Sequence, residues 1–154
     1  MKKFLILLIP LLLVGCSNEV EEEKSDYLTY KNVLQEEVEF SSLEDLDFDI
    51  TISIDKINDE EISYRAIIDN PHVDMYKIKA LIIHNYFTED IFPSICIFDD
   101  TYDLVVGNEE VKGITLVGYI ETDKDIEELD LEIRVLLEYE DSEGNLKTVY
   151  YKTT

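Results

Sequence analysis

The stretch LDFDITISID, residues 46–55, decides the fold. Leu46, Phe48, Ile50, Ile52 and Ile54 alternate with Asp47, Asp49, Thr51, Ser53 and Asp55. Successive side chains of a strand point to opposite faces, so this alternation describes a strand with one dry face and one wet face. Asn58-Asp59-Glu60 follows as a turn. Ile62, Tyr64, Ala66 and Ile68 then alternate with Ser63, Arg65 and Asp69, which reads as the partner of a hairpin. Asn70-Pro71 ends it, because proline has no N–H to donate to a ladder.

The same signal continues toward the C-terminus. A third strand is expected from Met75 to Asn85, with Tyr76, Ile78, Ala80 and Ile82 on one face. Its other face starts with Lys77 and Lys79 and turns apolar at Leu81 and Ile83. A short fourth strand is expected over Ser94 to Phe98, then a loop from Asp99 to Asp103 and a turn at Gly107-Asn108. Gly113 to Glu121 is a further strand. A long one starts at Ile126 or Leu129 and reaches Tyr139, with Leu129, Leu131, Ile133, Val135, Leu137 and Tyr139 on one face. Glu140 to Asn145 has the Gly-Asn chemistry of a hairpin loop, and Leu146 to Lys152 returns as the last strand.

Upstream, Val33 to Phe40 is a candidate first strand, and Ser42-Leu43-Glu44-Asp45 has the pattern that opens a helical turn. Short strands at this spacing, without a long amphipathic helix, give an all-β reading: a two-sheet antiparallel sandwich of about seven strands over residues 33–154. In strand count and size, Leu46 to Lys152 resembles an immunoglobulin-like domain. That family's Cys-Trp-Cys core is missing, since the chain has no Trp, so the resemblance implies architecture and carries no function.

The front end has another character. Met1-Lys2-Lys3 precedes an apolar run, Phe4 to Val14, that is shorter than the roughly 20 residues of a membrane-spanning helix. A basic start, a short apolar middle and a small residue before the break describe a secretory signal. Leu13-Val14-Gly15-Cys16 resembles the lipobox of bacterial lipoproteins. The resemblance implies that residues 1–15 are a lipoprotein signal peptide, cut between Gly15 and Cys16, and that the Cys16 thiol carries a diacylglyceryl group. Each buried CH₂ contributes about 0.8 kcal/mol, and two acyl chains give durable attachment where one does not. The chain would then sit on the extracytoplasmic face of the cell membrane, held to the bilayer through Cys16. Residues 16–32, beginning Cys16-Ser17-Asn18-Glu19-Val20-Glu21-Glu22-Glu23, are expected to form an acidic flexible tether with few apolar residues to bury.

Charge narrows the partners. The 154 residues carry 13 Lys and Arg against 36 Asp and Glu, a net charge of −23, and loss of Lys2 and Lys3 with a leader makes it more negative. Such a chain has no basic patch to neutralise phosphates, which argues against nucleic acid and against lying flat on anionic lipid. With Cys16 acylated, Cys96 stands alone, so no internal disulfide is expected. Its setting, Ile95-Cys96-Ile97-Phe98, is that of a buried thiol. The preference for Lys over Arg, the many Ile and the avoidance of disulfides suggest a Gram-positive source.

Chemistry-bearing patterns are sparse. Only His72 and His84 could serve as the usual base, and Ser94 lies in no nucleophile elbow. The expectation is a protein that is not an enzyme and needs no cofactor. The acidic loops offer the alternative of a Ca²⁺-binding surface lipoprotein: Asp99, Asp100 and Asp103 in one, Asp141, Glu143 and Asn145 beside Gly144 in another. Neither has the Asp-x-Asx-x-Asx-Gly spacing, and a hairpin turn accounts for the second. His72 and His84 with Asp74 could hold zinc, though unrelated strand and loop histidines account for them. Tyr119, Tyr139, Tyr150 and Tyr151 read as sheet residues. Tyr86, Phe87, Ile91 and Phe92, in or beside the loop after the third strand, are the best candidates for partner contact. The expected function is a non-catalytic binding or protein-interaction module whose partner is an envelope protein, a peptide or a wall component.

Overall fold

A computed structural model describes residues 17–36, 38–86, 91–97 and 101–153. Cys16 with the leader, Phe87, and the Asp99-Asp100 pair lie outside the described residues. A helix, α1 (Ser17–Gln35), is followed by β1 (Asp49–Asn58), β2 (Glu61–Asp69), β3 (Met75–His84), β4 (Ser94–Ile95), β5 (Tyr102–Leu104), β6 (Gly113–Glu121), β7 (Ile133–Glu140) and β8 (Leu146–Lys152). Single 3₁₀ turns occupy Leu43–Asp45 and Ile126–Glu128. The strands form two antiparallel sheets, β1-β2-β6 and β4-β3-β7-β8, with β5 also on β3. The fold is an all-β sandwich. It has eight strands among the described residues because Tyr102–Leu104, expected within and after a loop, pairs with β3 through Met75↔Leu104 and Ile78↔Tyr102.

The alternation in the opening stretch faces where it must. Ile50, Ile52 and Ile54 pack against the core from β1, and Leu46 and Phe48 reach it from extended chain before β1 starts. Ile62, Tyr64, Ala66 and Ile68 of β2 and Ile114, Leu116 and Ile120 of β6 complete that sheet's inner face. Across the core lie Ile78, Ala80 and Ile82 of β3 and Ile133, Val135, Leu137 and Tyr139 of β7. Glu60 N–H donates to Asn58 Oδ1 at 2.8 Å, closing the β1–β2 turn.

Two expectations along the chain need correction. The first is the third strand's register. Met75, not Tyr76, joins the core, because the pairing slips between Tyr76 and Lys79. Lys77 takes a left-handed conformation (φ 52°), and its N–H donates to Asp103 Oδ1 at 2.8 Å. A bulge of this kind returns Met75 and Ile78, three residues apart, to one face. The second is the long strand. Leu129 and Leu131 do pack against the core, but Ile126–Glu128 is a 3₁₀ turn and regular pairing starts at Ile133.

The larger correction concerns the segment expected as a tether and a first strand. It is α1, and no strand occupies the described residues between Val33 and Phe40. Tyr27, Tyr30 and Leu34 are three and four apart, the spacing of one helical face. Tyr27 and Leu34 bury against Leu81 and Ile83 of β3, Leu136 of β7, Phe92 and Ile97, with Tyr30 and Tyr150 at the margin. So few apolar residues could not hold a free helix in water, and the outer face of the larger sheet supplies the missing partner. The apolar turn of β3's second face at Leu81 and Ile83 was the trace of that cover. At the end of α1 Arg134 Nη1 donates to the carbonyls of Leu34 and Glu36 at 2.8 and 3.2 Å, satisfying groups that a helix C-terminus leaves open.

Candidate functional site

The C-terminal half of α1, the end of β3 and the segment after it meet around a cleft of about 390 Å³. Lys31, His84, Tyr86, Phe92 and Arg134 line it. Each is positioned by the fold just described. Phe92 N–H donates to Tyr27 Oη at 2.9 Å, and burial pushes the Tyr27 hydroxyl's pKa up, opposed by that hydrogen bond. Ile82 N–H donates to the Pro93 carbonyl at 3.0 Å, fixing the segment's return onto β3. Asn85 clamps the neighbouring wall: its side-chain amide donates to Asp130 O at 2.8 Å and accepts from Glu132 N–H at 2.9 Å.

The cleft is an apolar and cationic spot on an acidic protein. The Lys31 ammonium lies 5.1 Å from the centre of the Phe92 ring, a cation–π distance. Arg134 Nε donates to Glu132 Oε1 at 2.6 Å, and Lys152 Nζ lies 3.4 Å from Glu132 Oε2. Burial acts to raise the Glu132 pKa, but the hydrogen bonds and charges of Arg134 and Lys152 outweigh it and hold the carboxyl below its ordinary range. Phe40 stacks under both cations, 5.6 Å from Arg134 and 4.9 Å from Lys152. His84 stands edge-on between Tyr64 and Phe92, each ring centre 5.0 Å away.

Of the four contact residues expected from sequence, three can be placed. Phe92 is buried, and Tyr86 packs partly against the core; both line the cleft. Ile91 is 78% exposed and lines a second groove, on the other side of Phe92, with Tyr64, Val117 and Tyr119. Phe87 falls outside the described residues. Sequence reasoning missed Lys31 and Arg134, whose approach depends on α1 docking. The three-and-four spacing of Tyr27, Tyr30 and Leu34 could have revealed it. Tyr119, read as a sheet residue, is one, but its side chain is 56% exposed.

The other candidate residues are engaged in local structure. Asp141 accepts from Glu143 N–H and Asn145 N–H, both at 2.9 Å, and from the Asn145 side chain, with Gly144 at φ 81°. The Asn145 backbone and side-chain hydrogen bonds hold the Asp141 pKa low. This is the hairpin turn's own bonding. Asp103 serves the Lys77 bulge. His72 faces Asp49 at 3.3 Å, whereas His84 is buried against Tyr64 and Phe92. Among the described residues no three His, Cys, Asp or Glu side chains gather as a metal site. Cys96 is buried at 5% exposure. No helix among them is long and apolar enough to cross a membrane. Compared with protein-family models, with curated proteins and with solved structures, the chain matches none.

Proposed function

We propose that the chain is a lipid-anchored lipoprotein of the extracytoplasmic membrane face whose sandwich acts as a non-catalytic binding module for a component of the cell envelope. The observation that carries the binding half is the cleft of Lys31, His84, Tyr86, Phe92 and Arg134, an aromatic and cationic recess on a chain of net charge −23. Aromatic walls with a few fixed polar groups are the usual make-up of a recognition site. The anchoring half rests on Leu13-Val14-Gly15-Cys16. α1 spans Ser17–Gln35, so an anchored chain would rise from the bilayer as a helix docked on its own sheet, with about 15 Å of helix between Ser17 and Tyr27 at 1.5 Å per residue.

Two experiments test the two halves. Metabolic labelling with a fatty-acid probe should mark the parent protein and leave Cys16→Ser unlabelled, with the variant shed or held as precursor. Label persisting in Cys16→Ser would remove the anchor. A photo-crosslinking amino acid at position 86 in intact cells should give one discrete adduct, absent when the same group stands at position 146 on the exposed end of β8. Equal, diffuse adducts from both positions would remove the cleft as a recognition surface.

A further inference from the structure

Exposed strand edges invite pairing with other chains, and proteins blunt them with charge, proline, bulges, shortness or cover. Three of the edges here are blunted. β1 carries Asp49, Asp55 and Lys56, and its register breaks between Lys56 and Asn58. β8 carries Lys147 and Lys152, and the chain before the first 3₁₀ turn lies along it, with Ser41 N–H donating to Tyr150 O at 2.7 Å. β4 and β5 are two and three residues long.

β6 lacks the charge, proline, bulge and shortness of the others, and the chain at residues 91–93 borders its middle across a groove. Its nine residues hold unbroken register against β2, from Gly113↔Asp69 to Glu121↔Glu61, without proline or bulge. No charged side chain occurs in it before Glu121, in a chain where 32% of residues are charged. Among the described residues no strand pairs with its outer edge. Beside that edge runs the second groove, about 280 Å³, where Ile91 (78% exposed), Tyr119 (56%) and Val117 (38%) present apolar surface. Both ends of the edge are acidic. Asp69, Glu109 and Glu110 lie at or before Gly113, and Glu60, Glu61, Glu121 and Asp123 surround the other end. None of these seven carboxylates forms an ion pair among the described residues; Lys112 and Lys124 flank β6 in the chain, and Arg65, opposite Val117 in the β2–β6 ladder, pairs with Asp55 at 3.5 Å.

We propose that β6 is an acceptor edge for an extended, cationic polypeptide segment, which joins the β1-β2-β6 sheet as its fourth strand. This rests on the binding-module reading and specifies the ligand's class. Main-chain hydrogen bonds along about 30 Å of strand supply affinity, and alternate side chains meeting Ile91, Val117 and Tyr119 supply selectivity. Lys or Arg residues flanking the segment meet the two acidic ends. A second copy of this chain is the poorer occupant, because it brings the same strong negative charge to the contact.

The test is hydrogen exchange of the full chain in detergent with the peptide acetyl-Lys-Lys-Val-Thr-Val-Thr-Val-Thr-Lys-Lys-amide. The alternate amides of residues 113–121 that point away from β2 should slow by about tenfold or more, with β1 and β8 unchanged, as expected where bonded amides replace solvated ones. The peptide with Glu in place of every Lys should protect nothing. Tyr119→Lys, at an exposed position opposite Ser63, should keep the parent's melting temperature and lose the protection. Protection of β1 or β8 instead, equal protection by the Glu peptide, or none at all would overturn the proposal. Protection of β6 that grows with protein concentration and no peptide would overturn it in favour of a second copy. The crosslinking at position 86 is read independently, so strand addition can fail while the cleft survives, and the reverse.

Discussion

Ile133→Asp should leave the domain largely unfolded at ambient temperature. Ile133 opens β7 with no exposed surface, on the face that packs with Val135, Leu137 and Tyr139 against the other sheet. Its pair across the β3–β7 ladder is His84, and no Lys or Arg belongs to the core cluster around it. A buried, unpaired charge costs several kcal/mol after relaxation, and domains of this size have about 5–15 kcal/mol in total. Thr51→Lys, on the exposed face of β1, should melt with the parent. Strand alternation alone would nominate Glu132→Lys as an equally harmless control, one residue from Ile133. The structure says otherwise, since Glu132 joins Arg134 and Lys152, and a lysine there would set three cations together. Glu132→Lys should therefore melt lower than Thr51→Lys and higher than Ile133→Asp. A parent-like melt for Ile133→Asp would show that the strand's inner and outer faces are misassigned.

Gly118→Val should be the second severe change. Gly118 sits opposite Tyr64 in the β2–β6 ladder, and both face inward. The Tyr64 ring lies across the glycine, so that a Cβ added at position 118 would overlap its Cζ, Oη and Cε1 atoms. An aromatic ring covering a glycine across strands is a known way of filling the gap the missing side chain leaves. With valine there the ring must leave its edge-on contact with His84. Overpacking of this kind costs about 1–3 kcal/mol, or a fall in Tm on the order of 10 °C. The partner change separates this from a general intolerance of β6: Gly118→Val with Tyr64→Leu should recover part of the loss, because the two residues occupy the same space. Additive losses in the double variant would remove the steric account.

The sandwich was legible in the chain because its signal is local. In β2, Ile62, Tyr64, Ala66 and Ile68 point inward as their alternation requires, and nothing beyond the pleat of a strand is needed to see it. Asn58-Asp59-Glu60 and Glu140 to Asn145 were turns for equally local reasons of side-chain bonding and backbone angle. Tyr86, Ile91 and Phe92 stood out as apolar residues in or beside a loop, and two of them do line the cleft.

Long-range partners decided the rest. Residues 17–35 lack the apolar content to be a helix alone, and only the outer face of β3 and β7 makes them one. With that docking come Lys31 beside Phe92 and Arg134 at the helix end; the spacing of Tyr27, Tyr30 and Leu34 marks the docking face but not the surface it meets. The slip at Lys77 depends on Asp103, 26 residues away, so the parity of β3 could not be read through it. The open edge of β6 is likewise a property of sheet order. The run Gly113 to Ile120 reads as an ordinary strand until the topology shows that β2 covers one side of it and no strand among the described residues covers the other. Periodicity records which face of an element is dry, whereas the identity of the surface that keeps it dry, and of the edge left over, is settled by contacts between segments far apart in the chain.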